Sequence, residues 1–149
     1  MKKLLFILCL GSSVVFTSCK KDDDPTKKEM LVGKNWVATA MTIDPGLPIV
    51  GTNLFNQVDA CDKDDITKFS ADGKATFDEG ASKCEVTDPQ TTTGSWALNP
   101  TETILSITYS PTSTISLTLK TLTSSKMVGT YQVVDSGVTY TYELTFEAK

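Results

Sequence analysis

Residues 138–147 read Val-Thr-Tyr-Thr-Tyr-Glu-Leu-Thr-Phe-Glu. Val138, Tyr140, Tyr142, Leu144 and Phe146 alternate with Thr139, Thr141, Glu143, Thr145 and Glu147. One face is apolar and the other carries hydroxyls and acids, the pattern of a half-buried antiparallel strand. Immediately upstream, Met127, Gly129, Tyr131 and Val133 alternate with Val128, Thr130, Gln132 and Val134 in the same way. Between the two runs lies Asp135-Ser136-Gly137, whose composition suits a type I turn closed by a glycine in the left-handed region.

The same device recurs nearer the N-terminus, where Ala71-Asp72-Gly73 separates Asp65–Ser70 from Lys74–Glu79. A three-residue loop with Gly73 as the bulge sets Ser70 against Lys74, Phe69 against Ala75 and Thr67 against Phe77. Phe69 and Phe77 then share a face, and Lys68, Lys74, Thr76 and Asp78 share the other. A two-residue loop would split the phenylalanines between faces, so the apolar pattern selects the bulged turn. Extending this hairpin outward brings Cys61 and Cys84 to its open end, nearly opposite each other.

Further strands read as Gly94–Asn99, Thr103–Ser110 (Leu105, Ile107 and Tyr109 on one face) and Thr114–Thr123 (Ile115, Leu117 and Leu119 on one face). Asn35–Asp44 is extended, but its inward face is ambiguous: Trp36, Ala38 and Ala40 compete with Val37, Thr39 and Met41. The count is eight strands with mostly short connections. One long link, 44–64, interrupts the rhythm; it is expected to carry a helical turn near Leu54–Val58 and to act as a lid over one mouth. Gly80–Thr93 is a second irregular stretch. Sequential short strands favour an all-β, eight-stranded antiparallel up-and-down barrel, which closes its own edges. A two-sheet β-sandwich is the alternative.

The first eighteen residues differ in kind. A positive head, Met1–Lys3, precedes an apolar run broken by Gly11, Ser12 and Ser13, and small residues precede Cys19. This is the pattern of a secretory signal peptide, residues 1–18; the apolar run is shorter than the ~20 residues that span a bilayer. Phe16-Thr17-Ser18-Cys19 resembles the lipobox of bacterial lipoproteins, with Phe16 where leucine is more usual. The resemblance implies a lipidated Cys19 as the mature N-terminus and attachment to the outer membrane. Residues 19–32 then form a charged flexible tether. Within it, Lys21-Asp22-Asp23 resembles a signal for display on the outer face of the outer membrane, with periplasm-facing attachment as the alternative.

Loss of residues 1–18 removes Lys2 and Lys3 and no acid, so the formal charge moves from −4 to −6. An acidic chain of this kind does not suit nucleic acid or anionic lipid surfaces. It contains no histidine and no arginine. Triads with an imidazole base, imidazole metal sites and bidentate guanidinium clamps are therefore excluded. Of four cysteines, Cys9 leaves with the signal and Cys19 takes the lipid. Cys61 and Cys84 remain as a pair in an exported protein, and a disulfide is expected.

Gly33-Lys34-Asn35-Trp36 at the first strand, Phe69–Gly73 at the first hairpin and Gly94-Ser95-Trp96 at the fourth strand resemble the lipocalin-like domains of small bacterial lipoproteins. The resemblance covers residues 33–149. It departs from the lipocalin pattern by one extra residue between Gly33 and Trp36 and by the missing arginine over that tryptophan. It implies a barrel that binds a small apolar or amphipathic ligand. The residues expected to line the interior are Phe69, Phe77, Trp96, Tyr109, Tyr131, Tyr140, Tyr142 and Phe146. Four tyrosine hydroxyls among them need partners, which a partly wet pocket or a position near the barrel end would supply. An alternative is a monomeric interaction or inhibitor module with a filled barrel, presenting loops to a partner protein. Ser136–Tyr140 resembles a loop of bacterial lipoprotein inhibitors of lysozyme. Catalysis and cofactors are not expected: the acids Asp62, Asp64, Asp65, Asp72, Asp78 and Glu79 read as turn and outward-face residues, and 59–65 lacks the spacing of a calcium loop.

Overall fold

A computed structural model describes residues 24–149. The signal segment 1–18 and the lipidation site Cys19 lie outside the described residues. The strands are β1 (Asn35–Leu47), β2 (Gly51–Asn53), β3 (Ile66–Phe69), β4 (Lys74–Asp78), β5 (Thr91–Leu98), β6 (Ile104–Ser110), β7 (Ser113–Leu122), β8 (Lys126–Asp135) and β9 (Val138–Ala148). From β3 to β9 each strand pairs antiparallel with the next; β1 pairs with both β3 and β9. Eight strands therefore close a barrel, and the sandwich is excluded because it would leave β1 and β9 in separate edges. The ninth, β2, hangs outside the closure on β1 alone. The long link is thus partly strand: β1 runs on to Leu47 and turns back as β2, before a short 3-10 turn, η1 (Phe55–Gln57).

Alternation sets the inward face on each strand, and two particulars differ from the sequence reading. On β1, Trp36 faces Ala148 and Ala38 faces Phe146, whereas Met41 faces Leu144 and Ile43 faces Tyr142, with the register slipping between Ala38 and Ala40. A bulge at Thr39 moves the inward set by one residue, so Trp36 and Ala38 point inward before it and Met41 and Ile43 after it. The β8–β9 connection is tighter than a type I turn with a bulge. Asp135 pairs directly with Val138, and Ser136 and Gly137 both take positive φ, 50° and 80°. That is the two-residue turn whose twist matches the flanking strands. The β3–β4 hairpin has the expected register, Thr67 on Phe77 and Phe69 on Ala75; Gly73 sits at φ 87°.

One end of the barrel is closed and packed. Leu31, Trp36, Phe69, Ala75, Trp96, Leu105, Ile107, Leu117 and Met127 form a continuous buried cluster there. Its plug is a helix, α1 (Lys27–Leu31). The Thr26 hydroxyl accepts from the Glu29 N–H and the Glu29 carboxylate accepts from the Thr26 N–H, a reciprocal capping box. Leu31 is fully buried, and its carbonyl accepts the Trp36 indole N–H at 2.9 Å. Lys27 Nζ donates to the Glu102 carbonyl in the β5–β6 turn at 2.6 Å, and Val32 bridges to Phe69. Among the described residues, α1 packs against the barrel through Leu31, ahead of the boundary at residue 33.

Candidate ligand-binding site

The strand directions place the β1–β2 hairpin, the 54–65 link, the 79–90 loop, the β6–β7 turn and the β8–β9 hairpin at the other, open end. Here the Cys61–Cys84 disulfide joins the 54–65 link to the 79–90 loop, with Cα atoms 5.3 Å apart. Beside it, the Asp64 carboxylate accepts the backbone N–H groups of Ala81 and Ser82 at 2.7 and 3.0 Å and the Ser82 hydroxyl at 2.8 Å. These bonds hold its pKa below the ordinary value, the Ser82 hydroxyl foremost. Bridge and carboxylate together staple the two loops. Cys61 and Cys84 lie close to Asp62, but their sulfurs are spent in the bridge and offer no thiolate to a metal.

Beneath these loops the barrel interior opens into a cavity of about 350 Å³, near the lower end of the ~300–1,000 Å³ range of small-molecule pockets. Trp36, Ala38, Thr67, Phe77, Thr92, Tyr109 and Phe146, on the inward parity of their strands, make most of its wall, and Ile66 and Asp78, of outward parity, complete it at the edge. Other hollows of similar size, 340–430 Å³, lie outside the barrel against α1, the turns or the outer strand faces. Phe77 and Tyr109 rings stand 4.5 Å apart and make one wall. Gly94 allows this: a Cβ there would overlap the Thr108 carbonyl oxygen and crowd the Phe77 ring at 3.2 Å, so β5 and β6 approach under Phe77 only through glycine.

The eight aromatic residues expected to line the interior divide by depth. Phe77, Tyr109 and Phe146 line the cavity. Phe69 and Trp96 do not: they are packed in the closed half, 1% and 7% exposed, with rings 5.4 Å apart and the Trp96 indole N–H donating to the Ser70 carbonyl at 3.0 Å. Tyr131 and Tyr142 stack at 4.8 Å on the β8–β9 wall; Tyr140 is two residues nearer the rim and faces Val133. The tyrosine hydroxyls do not require a pocket, because the only sealed side-chain oxygen or nitrogen without a partner among the described residues belongs to Asp65. They reach water at the open end. Partial burial raises the Tyr109 and Tyr131 phenols, which keeps them neutral at physiological pH.

Sequence reasoning missed the acids of the mouth. Continuing the Thr67–Phe77 register by two residues sets Asp65 opposite Glu79 on the inward face, and both line the cavity, with Asp62 and Asp78 beside them. Asp65 is the perturbed member. Burial first, then the charges of Glu79, Asp62, Asp64 and Asp78, push its pKa up to about 6. Asp78 is held down instead, chiefly by the Gln90 amide at 3.0 Å, with Lys68 at 3.5 Å on the outer face. The readable signal was parity: residues 65 and 79 are two steps from the inward Thr67 and Phe77.

A closed antiparallel barrel with a plugged base, an open mouth and a hollow between them is the architecture of a small-molecule-binding barrel. The chain belongs to the lipocalin-like domain family, whose profile matches residues 31–129, from the plug through the middle of β8. No curated protein matches the chain.

Proposed function

We propose that this protein is a lipid-anchored carrier that holds a small apolar or amphipathic ligand in the upper half of its barrel. The observation that carries the reading is the cavity itself: inward residues of six strands make most of its wall, while the lower half is filled. Binding, not catalysis, is the activity proposed. The lipobox-like Phe16–Cys19 supports attachment to the outer membrane through diacylglycerol on Cys19, and Lys21-Asp22-Asp23 supports display on the cell surface. Native mass spectrometry of the protein taken from its own cells should show a bound small molecule; a barrel that is always empty would count against a carrier. Cys19→Ala should move the protein from the membrane to the soluble fraction, and retention in the membrane would refute the anchor.

The second reading, a module that presents its open-end loops to a partner protein, draws on exposed apolar residues around that end. Ile49 is 98% exposed, Val86 87% and Val134 69%. Crosslinking from this rim should capture a defined protein if that reading holds, and should capture none if the carrier reading is complete.

A further inference from the structure

We infer that the ligand is an organic cation with an apolar body, its charged group held between Asp65 and Glu79 at the mouth and its body on the Phe77, Tyr109 and Phe146 walls. The inference rests on the cavity being a binding site and adds the charge of its occupant.

Three observations converge on it. The cavity is lined by four carboxylates, Asp62, Asp65, Asp78 and Glu79, and by no lysine. Asp78 has a cation of its own, Lys68 at 3.5 Å, but Asp65 and Glu79 face each other with no protein cation bonded to either among the described residues. One oxygen of Asp65, Oδ1, is sealed from solvent without any hydrogen-bond partner. Buried acceptors are ordinarily paired, so the chain leaves the Asp65 carboxylate without a donor on that side. A cationic head between the two acids would offset the Asp65 charge and relieve the repulsion between them. The electron-rich faces of Phe77 and Tyr109 below it favour the same sign of charge.

A bare metal ion fits less well. Among the described residues, the acidic and sulfur ligand atoms that gather within 4.8 Å of one another in a group of three are those of Cys61, Asp62 and Cys84. Asp65, Glu79 and Asp78 do not converge in that way. A metal would also leave the aromatic walls unused, whereas an alkyl or aryl ammonium uses both parts of the cavity.

The test is calorimetric titration, below micelle-forming concentrations, with three probes of one chain length: decyltrimethylammonium, 1-decanol and decanoate. The cation should bind about tenfold more tightly than the alcohol, and decanoate should bind most weakly. The preference should shrink as salt rises. Asp65→Asn with Glu79→Gln, checked for intact fold by circular dichroism, should erase the difference between cation and alcohol. Equal binding of cation and alcohol by the wild type, or an unchanged preference in the double variant, overturns the inference and leaves the carrier reading standing. Absence of binding by all three probes overturns both.

Discussion

Asp65→Asn should stabilise the protein at neutral pH and have no effect in acid. The folded state holds the Asp65 carboxyl at a pKa of about 6, against an ordinary value of 3.8. Because the folded value is raised, the folded state binds more protons than the unfolded chain between those two values. Stability therefore falls as pH rises through that window, and the full cost is present above about 6. Two pKa units correspond to about 3 kcal/mol. Asp65 is only partly enclosed, and solvent screening brings the expected cost down to about 1–2 kcal/mol. Asparagine keeps the shape and removes the charge that opposes Glu79, Asp62, Asp64 and Asp78. Thermal unfolding at pH 7 should show a rise of about 3–8 °C for a domain of this size, shrinking to nothing near pH 4. The lowered carboxylates, Glu29, Asp64 and Asp78, act in the opposite direction; all three are present in the two proteins, and the difference between the curves isolates Asp65. A variant that is less stable at pH 7, or a gap independent of pH, would refute the reasoning.

Leu31→Ala removes the plug's fully buried side chain and should cost about 2–5 kcal/mol. Urea unfolding reads the loss, and a red-shifted tryptophan emission would report water reaching Trp36. Removing the Cys61–Cys84 bridge by paired serine substitution opens a loop with a sequence separation of 23 and should cost about 3 kcal/mol in the chain-entropy picture. An unchanged melting temperature would show that the Asp64 clasp alone holds the two loops. Gly94→Ala drives a methyl into the Thr108 carbonyl and should cost at least about 1–3 kcal/mol as overpacking, measured by the same urea titration.

Much of this fold was legible because alternation is a direct image of a half-buried sheet. Residues 138–147 place Tyr140, Tyr142, Leu144 and Phe146 inward without help from any distant contact. The need for Phe69 and Phe77 to share a face fixed the β3–β4 turn, and that register carried Cys61 to Cys84. What alternation does not encode is depth. Phe69 and Phe77 share a face and a residue type, yet one is in the packed floor and the other on the cavity wall, because α1 fills only one end. That helix was hard to see: five residues are too few for a 3.6-residue period, and it sits in a charged segment. Its signal was the capping box Thr26-Lys27-Lys28-Glu29 followed by Met30 and Leu31. The β1 ambiguity was itself the trace of the bulge at Thr39. The mouth acids were misplaced for a related reason, since an acid beside a turn reads as solvated unless its parity is followed past the strand's end.

The central claim, that the hollow half of the barrel is where a ligand sits, is tested most directly by blocking it. Ala38 lines the cavity opposite Phe146, and Ala38→Phe would put a ring into the space. Calorimetric titration of 1-decanol into wild type and variant makes the comparison, with circular dichroism to confirm that both are folded. The account predicts one-to-one binding by the wild type and a loss of about tenfold or more in the variant. A wild type that binds no decanol, or a variant that binds it equally well, would contradict it.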